Sequence, residues 1–269
     1  MDRFAACIGA LRAALPRIVL GGAIAATTSL LLAGCGGGGY DDGGPGLSPE
    51  DAAAGFYDGR TASGRSLSVI VLETGRIYAL YGPVGNPGSS EIEGVMAGDG
   101  TAYGSTFSSN GLIDVNFANQ TATPVALSAT FGYSAYFDAN LAYLGGGSDS
   151  FRSDYSRAYE YIPSVPGIAA SYSGQLASAT RGVDDAVLSI SPSGAVSLSS
   201  SGGCLGAGTI YAHPVGNVYD LTISYGGGCP AAGRTLTGHA RYDGVARSLV
   251  GITTSPALDR VSLFVGSRL

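Results

Sequence analysis

The feature that most constrains the fold is an internal repeat of strand and turn patterns. The segment AGFYDGRTAS at 54–63 recurs as AASYSGQLAS at 169–178, with five identical residues placed 115 positions apart. Each copy is followed by an apolar strand pattern, a turn that ends on glycine and a second strand pattern, in VIVLETGRIYAL and LSISPSGAVSLS. There the offset is 119, which predicts a four-residue insertion around 181–184. The shared order indicates duplication of one unit; chance similarity in a Gly/Ala/Ser-rich chain is the alternative.

Strand-length runs of alternating or clustered apolar residues, such as 187–190 and 219–223, occur throughout both halves. Asn110-Gly111, Asp99-Gly100 and Asp243-Gly244 are predicted to be tight turns, because such pairs supply the positive φ that hairpins need. Helix is expected only in the N-terminal segment. The sequence therefore predicts an all-β protein with two tandem antiparallel β-barrel-like domains of about eight strands each. Two β-sandwiches are the alternative, since pattern alone does not separate them.

The composition is that of an acidic chain with few charges. Charged residues make up 13% of the 269 residues, about half of the usual ~25%. Every basic residue is an arginine, and without residues 1–34 the net charge changes from −6 to −8, because that segment holds three arginines and one aspartate. An acidic chain without a basic run argues against nucleic acid and against anionic lipid as partners.

The first 35 residues have the organisation of an export signal. Arg3, Arg12 and Arg17 are followed by a stretch from 18 to 34 that carries no charge. At 17 residues, diluted by glycine and threonine, this stretch is short for a membrane-spanning helix. It ends in Leu-Ala-Gly-Cys at 32–35, and four glycines follow.

This ending resembles the lipobox of bacterial lipoproteins. The resemblance implies cleavage before Cys35, acyl chains such as palmitate on that cysteine, and anchoring in a membrane through the lipid. In that class a residue other than aspartate after the cysteine, here Gly36, implies the outer membrane of a Gram-negative cell. An ordinary cleaved signal peptide with an incidental cysteine and an uncleaved anchor helix are the alternatives.

Domain boundaries follow from these segments. The stretch GGGGYDDGGPGLSPE has no apolar periodicity, and as a random coil it spans about 20 Å. IPSVPG at 162–167 separates the two β-rich halves. We expect a signal peptide at 1–34, the lipidated cysteine and a flexible Gly-rich linker at 35–51, a first β domain at 52–163 and a second at 164–269.

Cys204 and Cys229 are predicted to form a disulfide, since export takes them to a compartment where disulfides persist. Their midpoint falls between Gly216 and Asn217, at the predicted turn between GTIYAH and NVYDLTISY. The two cysteines would then face each other at the open base of one hairpin. A redox or metal-binding pair is the alternative, disfavoured because neither cysteine has a second Cys or a His at ligand spacing.

Candidates for catalysis are few. His213 precedes Pro214 at a predicted turn, and His239 lies within the strand pattern TLTGHARY, so that each histidine has a structural interpretation. No G-x-S-x-G elbow singles out a nucleophilic serine, and the acidic stretches lack the ligand spacing of a calcium loop. We expect a protein that is not an enzyme, with no catalytic residue, metal or cofactor.

The sixteen tyrosines, in a chain without tryptophan, are most open to a functional interpretation. Tyr133 and Tyr136 lie in FGYSAYF, and Tyr155 and Tyr159 lie in DYSRAYEY. Tyrosine brings contact area and a polar tip at low entropic cost, so these four residues predict a binding face for a protein or glycan. Tyrosine is also favoured in strands, and strand packing is the alternative.

A second resemblance concerns the layout of residues 52–269. A lipidated cysteine, a glycine-rich tether, G-x-Y-x-G-like strand openings and two Gly-rich halves resemble surface lipoproteins of the transferrin-binding and factor-H-binding type. The cysteine-bearing segments SGGCLGAGTI and SYGGGCPAAG also resemble those of proteobacterial lipoproteins with a C-terminal two-cysteine hairpin. The resemblance implies a non-catalytic binding or adhesive role at the cell envelope, and it carries over no binding residue. A structural or envelope-assembly role facing the periplasm and an exported hydrolase are the alternatives.

Overall fold

The structure of the protein is a computed structural model that describes residues 47–86 and 91–269. These residues form two closed antiparallel β-barrels of eight strands each, one after the other along the chain. The predicted all-β class is confirmed, and both domains are β-barrels and not β-sandwiches. The signal segment, Cys35 and the linker as far as residue 46 lie outside the described residues. Within the described ranges, no helix is both long enough and apolar enough to cross a membrane.

The described elements are short strands, with two short helices and one 3₁₀ turn. The first barrel contains α1 (Pro49–Ala53), β1 (Gly55–Thr61), β2 (Ser66–Val71), β3 (Arg76–Tyr81), β4 (Gly94–Asp99), β5 (Thr101–Tyr103), β6 (Thr106–Asn116), β7 (Thr121–Gly132), β8 (Tyr136–Tyr143) and β9 (Ser148–Ser156). A 3₁₀ turn at Arg157–Glu160 leads to α2 (Val165–Ile168). The second barrel contains β10 (Ala170–Ser178), β11 (Gly182–Ile190), β12 (Ala195–Ser200), β13 (Leu205–Ala212), β14 (Val218–Tyr225), β15 (Thr235–Asp243), β16 (Ser248–Thr254) and β17 (Val261–Arg268).

The first barrel closes through β4 and β6, in the order β4-β3-β2-β1-β9-β8-β7-β6. The short β5 pairs with the other half of β6, so β4 and β5 act as one strand bent at Gly100. The predicted hairpin turn at Asp99-Gly100 is therefore wrong. Asn110-Gly111 is also not a hairpin turn, because it lies inside β6, where the pairing with β7 shifts between Ser109 and Leu112. A bulge of this kind bends a strand, and closing a barrel requires bent strands.

The second barrel is an up-and-down meander that closes by pairing β10 with β17. The predicted turn at Asp243-Gly244 is confirmed, and there the Asp243 carboxylate accepts hydrogen bonds from the backbone N–H groups of Val245 and Ala246. Cys204 and Cys229 form the predicted disulfide at the base of the β13–β14 hairpin. This bridge fixes the end of the hairpin opposite to the turn at Gly216.

The sequence repeat marks equivalent positions at the start of each barrel. Tyr57 donates its O–H to the carbonyl oxygen of Ala53 at 2.8 Å, and Tyr172 donates to that of Ile168 at 2.7 Å. In each barrel the first strand is thereby fastened to the short helix that precedes it. The four-residue insertion lengthens the β10–β11 hairpin, whose strands have nine residues each where β1 and β2 have seven and six.

A glycine stands in each barrel where the first strand passes the last. A Cβ atom on Gly59 would overlap the backbone carbonyl of Arg152 in β9, and one on Gly174 would overlap that of Val265 in β17. Backbone atoms cannot move aside as a flexible side chain can. The repeated glycine therefore permits the close approach of the first and the last strand in each barrel.

A third apolar cluster lies between the two barrels, in addition to the two barrel interiors. In β3, Tyr81 and Ile77 belong to the interior of the first barrel, whereas Tyr78 and Leu80 belong to this third cluster, so the strand is apolar on both faces. We call the third cluster the seam. Its buried members from the first barrel and the connection are Ala54, Phe56, Ile70, Leu72, Tyr78, Leu80, Val95, Ala97, Val115, Phe117 and Tyr159, and those from the second barrel are Ala177, Val218, Ile252, Val261 and Leu263.

The seam makes one body of the two barrels, and the described residues belong to a single compact unit. Burying a large apolar side chain fully contributes about 1.5–3 kcal/mol. Phe56, Leu72 and Ile252 are fully buried in the seam. Because these side chains are buried only when the barrels are docked, docking contributes a major part of the stability of each barrel.

Gly59 and Gly174 occupy positions with no room for a larger side chain. Gly59→Ala and Gly174→Ala are each expected to lower the free energy of unfolding by about 1–3 kcal/mol, the range for overpacking a tight site. Gly145→Ala is the matched control, since the space around its Cβ position is open, and it should stay within about 0.5 kcal/mol of the native protein. Urea unfolding measures the three values. Equal effects of all three substitutions would contradict the role of the repeated glycine.

Candidate functional site

The seam holds a group of titratable side chains drawn from both barrels. Glu73 and Tyr78 come from the β2–β3 hairpin, and His213, Asp220 and His239 come from β13 to β15 and their connections. We call these five residues the seam cluster. It is the place in the described structure where both histidines of the chain meet carboxylates.

Strand register explains how three of these side chains come together. Asp220 in β14 pairs directly with His239 in β15, so the two side chains lie on the same face of the sheet. His213 follows β13, and its backbone N–H donates to the carbonyl oxygen of Val218 at 2.9 Å. His213 is thus the diagonal neighbour of Asp220. This face of the second barrel is the one that meets the first barrel, since Val218 and Ile252 on it belong to the seam.

His213 is hydrogen-bonded through both ring nitrogens. Its Nδ1 lies 2.6 Å from Asp220 Oδ1, and its Nε2 lies 2.9 Å from Glu73 Oε1. Burial alone would lower the pKa of this imidazole, but the hydrogen bonds and charges of the two carboxylates outweigh burial and raise it. Because Glu73 belongs to the first barrel, this imidazole joins the two barrels.

His239 lies beside His213 but has a different environment. Its Nδ1 is 2.9 Å from the Tyr78 hydroxyl, its Nε2 is 3.5 Å from Asp220 Oδ1, and its ring packs edge-on against His213 at 5.6 Å between centroids. Burial lowers the pKa of His239 to about 4. At neutral pH this imidazole is therefore uncharged, which is the form that binds a proton or a metal ion.

A groove opens beside the seam cluster, two residues further along β3 and β15. Its volume is about 410 Å³, and residues of both barrels line it, which is within the usual range of about 300–1,000 Å³ for ligand sites. Ile70, Leu80 and Val250 provide an apolar floor, while Asp58 and Asp243 belong to its polar wall. We call this the seam groove.

Arg241 is the cation of the seam groove. Its guanidinium lies 4.4 Å from the centre of the Phe56 ring, and its Nη1 lies 2.9 Å from Ser68 Oγ and 3.4 Å from Asp58 Oδ1. A cation over an aromatic face is attracted by the ring. These contacts fix the guanidinium of Arg241, which belongs to the second barrel, against side chains of the first barrel.

The mouth of the first barrel forms another polar cavity, of about 630 Å³. There Tyr81 and Tyr143 donate their O–H groups to Asp114 at 2.6 and 3.0 Å. Burial raises the pKa of Asp114 and outweighs these hydrogen bonds. The Arg65 guanidinium lies 5.0 Å from the centre of the Tyr81 ring and 3.0 Å from Glu93. These groups satisfy one another, which makes them a polar plug for the barrel end.

The four tyrosines singled out from the sequence occupy different environments. Tyr133 and Tyr136 are exposed at the turn between β7 and β8, whereas Tyr155 is partly buried against the interior of the first barrel and against the seam. Tyr159 is buried, and its ring packs edge-on against Phe56 at 5.2 Å. Tyr159 therefore offers no exposed ring to the predicted binding face, because Gly216 of the second barrel lies against its ring.

The sequence assigned separate structural positions to His213 and His239, and the structure brings them together. The predicted hairpin turn at 216–217 places His213 directly opposite Asp220, whereas in the observed register Tyr211 is opposite Asp220 and His213 is its diagonal neighbour. Both registers put the two side chains on one face of the sheet, so that pair could be found from the sequence. To place His239 in the cluster, the register of β15 against β14 must be known. To place Glu73 there, the docking of the two barrels must be known. A local sequence pattern contains neither.

No protein-family model matches this chain, and neither a curated protein nor a solved structure matches it. What the site does is therefore inferred from its own geometry, together with the sequence features at the N-terminus.

Proposed function

We propose that this protein is a lipid-anchored, non-catalytic binding protein of the bacterial cell envelope that holds its ligand in the seam groove. The observation that carries the proposal is the make-up of the groove, whose apolar floor comes from both barrels and whose single arginine is fixed by Ser68, Asp58 and Phe56. Concave apolar surfaces with a few placed polar groups are the usual form of ligand sites.

The groove favours a protein segment as its ligand. Ile70, Leu80 and Val250 suit aliphatic side chains, while the carboxylates of Asp58 and Asp243 suit a basic residue beside them. The net negative charge of the chain adds to the attraction for a basic partner. A glycan, the other ligand class that the tyrosines suggested, has no aliphatic side chain to cover this floor and fits it less well.

The anchoring part of the proposal rests on the Leu-Ala-Gly-Cys sequence at 32–35 and the glycines that follow it. Thirteen residues separate Cys35 from Pro49, where α1 begins, and a flexible chain of that length spans about 20 Å. A lipid on Cys35 would hold the two barrels near the outer membrane, at a distance of about the span of this segment. Both faces of that membrane, periplasmic and surface-exposed, are compatible with this tether.

Blocking the groove tests the binding proposal. Ala246 is exposed and lines the groove in the turn between β15 and β16, so Ala246→Trp should fill the groove without altering either barrel interior. The full-length protein is applied to an array of peptides that combine aliphatic with basic residues, and to a glycan array. We expect peptide binding by the native protein and at least a tenfold loss of affinity in Ala246→Trp.

The matched control is Ala232→Trp, the same change at an exposed turn position near the other end of β15. It should bind as the native protein does. Failure of the native protein to bind either array, or equal binding by both tryptophan variants, would contradict the assignment of the groove.

The anchor is tested separately by Cys35→Ala. Without the thiol no lipid can be attached, so the protein should move from the membrane fraction to the soluble fraction or accumulate as uncleaved precursor. Thr28→Ala, within the same uncharged stretch, is the control and should stay with the membrane. Cell fractionation followed by mass spectrometry of the N-terminus gives the answer. A processed Cys35→Ala protein that remains bound to the membrane would refute the lipid anchor.

A further inference from the structure

We propose that His213, Asp220 and His239 form a binding site for a divalent transition-metal ion such as Zn²⁺. One donor atom from each of the three side chains lies within 4.8 Å of the other two. Small side-chain rotations bring three such atoms to about 2.0–2.2 Å from a common ion. Two imidazole nitrogens and a carboxylate oxygen are donors that zinc and its neighbours accept.

The residues around these three side chains have the arrangement of a metal site. A metal-bound histidine almost always donates its other ring N–H to a carboxylate, a carbonyl or another oxygen, which fixes its tautomer. Here Glu73 Oε1 lies 2.9 Å from His213 Nε2, and the Tyr78 hydroxyl lies 2.9 Å from His239 Nδ1. With protons on those two nitrogens, His213 Nδ1 and His239 Nε2 both present lone pairs.

In this protonation state the two unprotonated nitrogens both face one carboxylate oxygen. Asp220 Oδ1 lies 2.6 Å from His213 Nδ1 and 3.5 Å from His239 Nε2. A carboxylate oxygen and two nitrogen lone pairs are all hydrogen-bond acceptors, so without a donor between them they repel one another. A metal ion bound among the three atoms would remove this repulsion. The Asp220 side chain is 46% exposed, so the same position is open to a metal ion arriving from solvent.

The charge of the cluster supports the same assignment. Glu73 and Asp220 provide two negative charges, and among the described residues Glu73 Oε2 is buried without a hydrogen-bond partner. One divalent ion balances two carboxylates while both imidazoles stay neutral. The competing arrangement has no ion and places a proton on His213 between the two carboxylates. The two arrangements differ in whether metal binds with one equivalent per chain.

The site differs from the seam groove and would link metal to barrel docking. The three metal ligands belong to the second barrel, but Glu73 and Tyr78, which hold the two imidazoles in position, belong to the first. We infer that Glu73 is a positioning residue for the metal site. Metal binding should then stabilise the docked barrels.

The experiment is a metal titration of the purified full-length protein after treatment with a chelator. Co²⁺ should bind with one equivalent per chain and give visible d–d absorption, which Zn²⁺ should abolish by displacing it. Zn²⁺ should also raise the melting temperature in a concentration-dependent way, because it binds the folded state.

Four variants locate the ion. His239→Gln and Asp220→Asn should each lower the affinity for Zn²⁺ at least a hundredfold. Glu73→Gln should lower it by about 10–100-fold, the usual effect of changing a residue that orients a ligand. Asp259→Asn is the matched control, since that carboxylate is paired with Arg234 at 3.1 Å outside the cluster, and its affinity should be native. Circular dichroism of each metal-free variant confirms that it is folded.

Three results would overturn the proposal. Absence of d–d absorption in the native protein leaves a hydrogen-bonded cluster with a protonated His213 and no metal. Native affinity for Zn²⁺ in folded Asp220→Asn and His239→Gln places the ion elsewhere. Native affinity in Glu73→Gln removes the positioning role assigned to the first barrel. None of these results bears on peptide binding in the groove, so the two proposals fail independently.

Discussion

Burial of outward-facing apolar side chains between the two barrels is the interaction on which the rest of the structure depends. The solvent face of an antiparallel sheet is usually polar. Here the β2–β3 hairpin carries Ile70, Leu72, Tyr78 and Leu80 on the outside of the first barrel, which would leave a large exposed apolar patch on a single barrel. The second barrel covers that patch with its own outer face. Both candidate sites are consequences of this docking, because each takes side chains from both barrels.

The polar groups at the edges of the seam fix how the barrels are docked. Apolar burial is non-directional, whereas the contact of His213 with Glu73 and that of Arg241 with Asp58 and Ser68 each require one relative position. A buried polar group that loses its partner costs about 1–3 kcal/mol. These contacts therefore select one docked arrangement from the many that an apolar surface allows, and the groove and the seam cluster keep a defined shape.

The sequence predicted the parts of the fold that depend on local patterns. Alternation of apolar residues and the repeat of Tyr57 and Gly59 as Tyr172 and Gly174 indicated two all-β units, and symmetric spacing about one turn indicated the disulfide. The failures have physical causes. Asn110-Gly111 has the composition of a hairpin turn, but closure of the first barrel uses it as a bulge. Tyr159 has the composition of a recognition surface, but docking buries it. Glu73 meets His213 across 140 residues of sequence, and only the docked barrels show that contact.

Hydrogen exchange in a seam variant tests most directly whether the seam makes one body of the two barrels. Ile252 is fully buried in the seam on the second barrel, and Ile252→Ala should lower the free energy of unfolding by about 2–5 kcal/mol. If the barrels are one cooperative unit, the protection of slow-exchanging amides in β7 and β8 of the first barrel should fall by the same free energy as that of amides in β11 and β12. Unchanged protection in the first barrel, with loss confined to the second, would contradict the account.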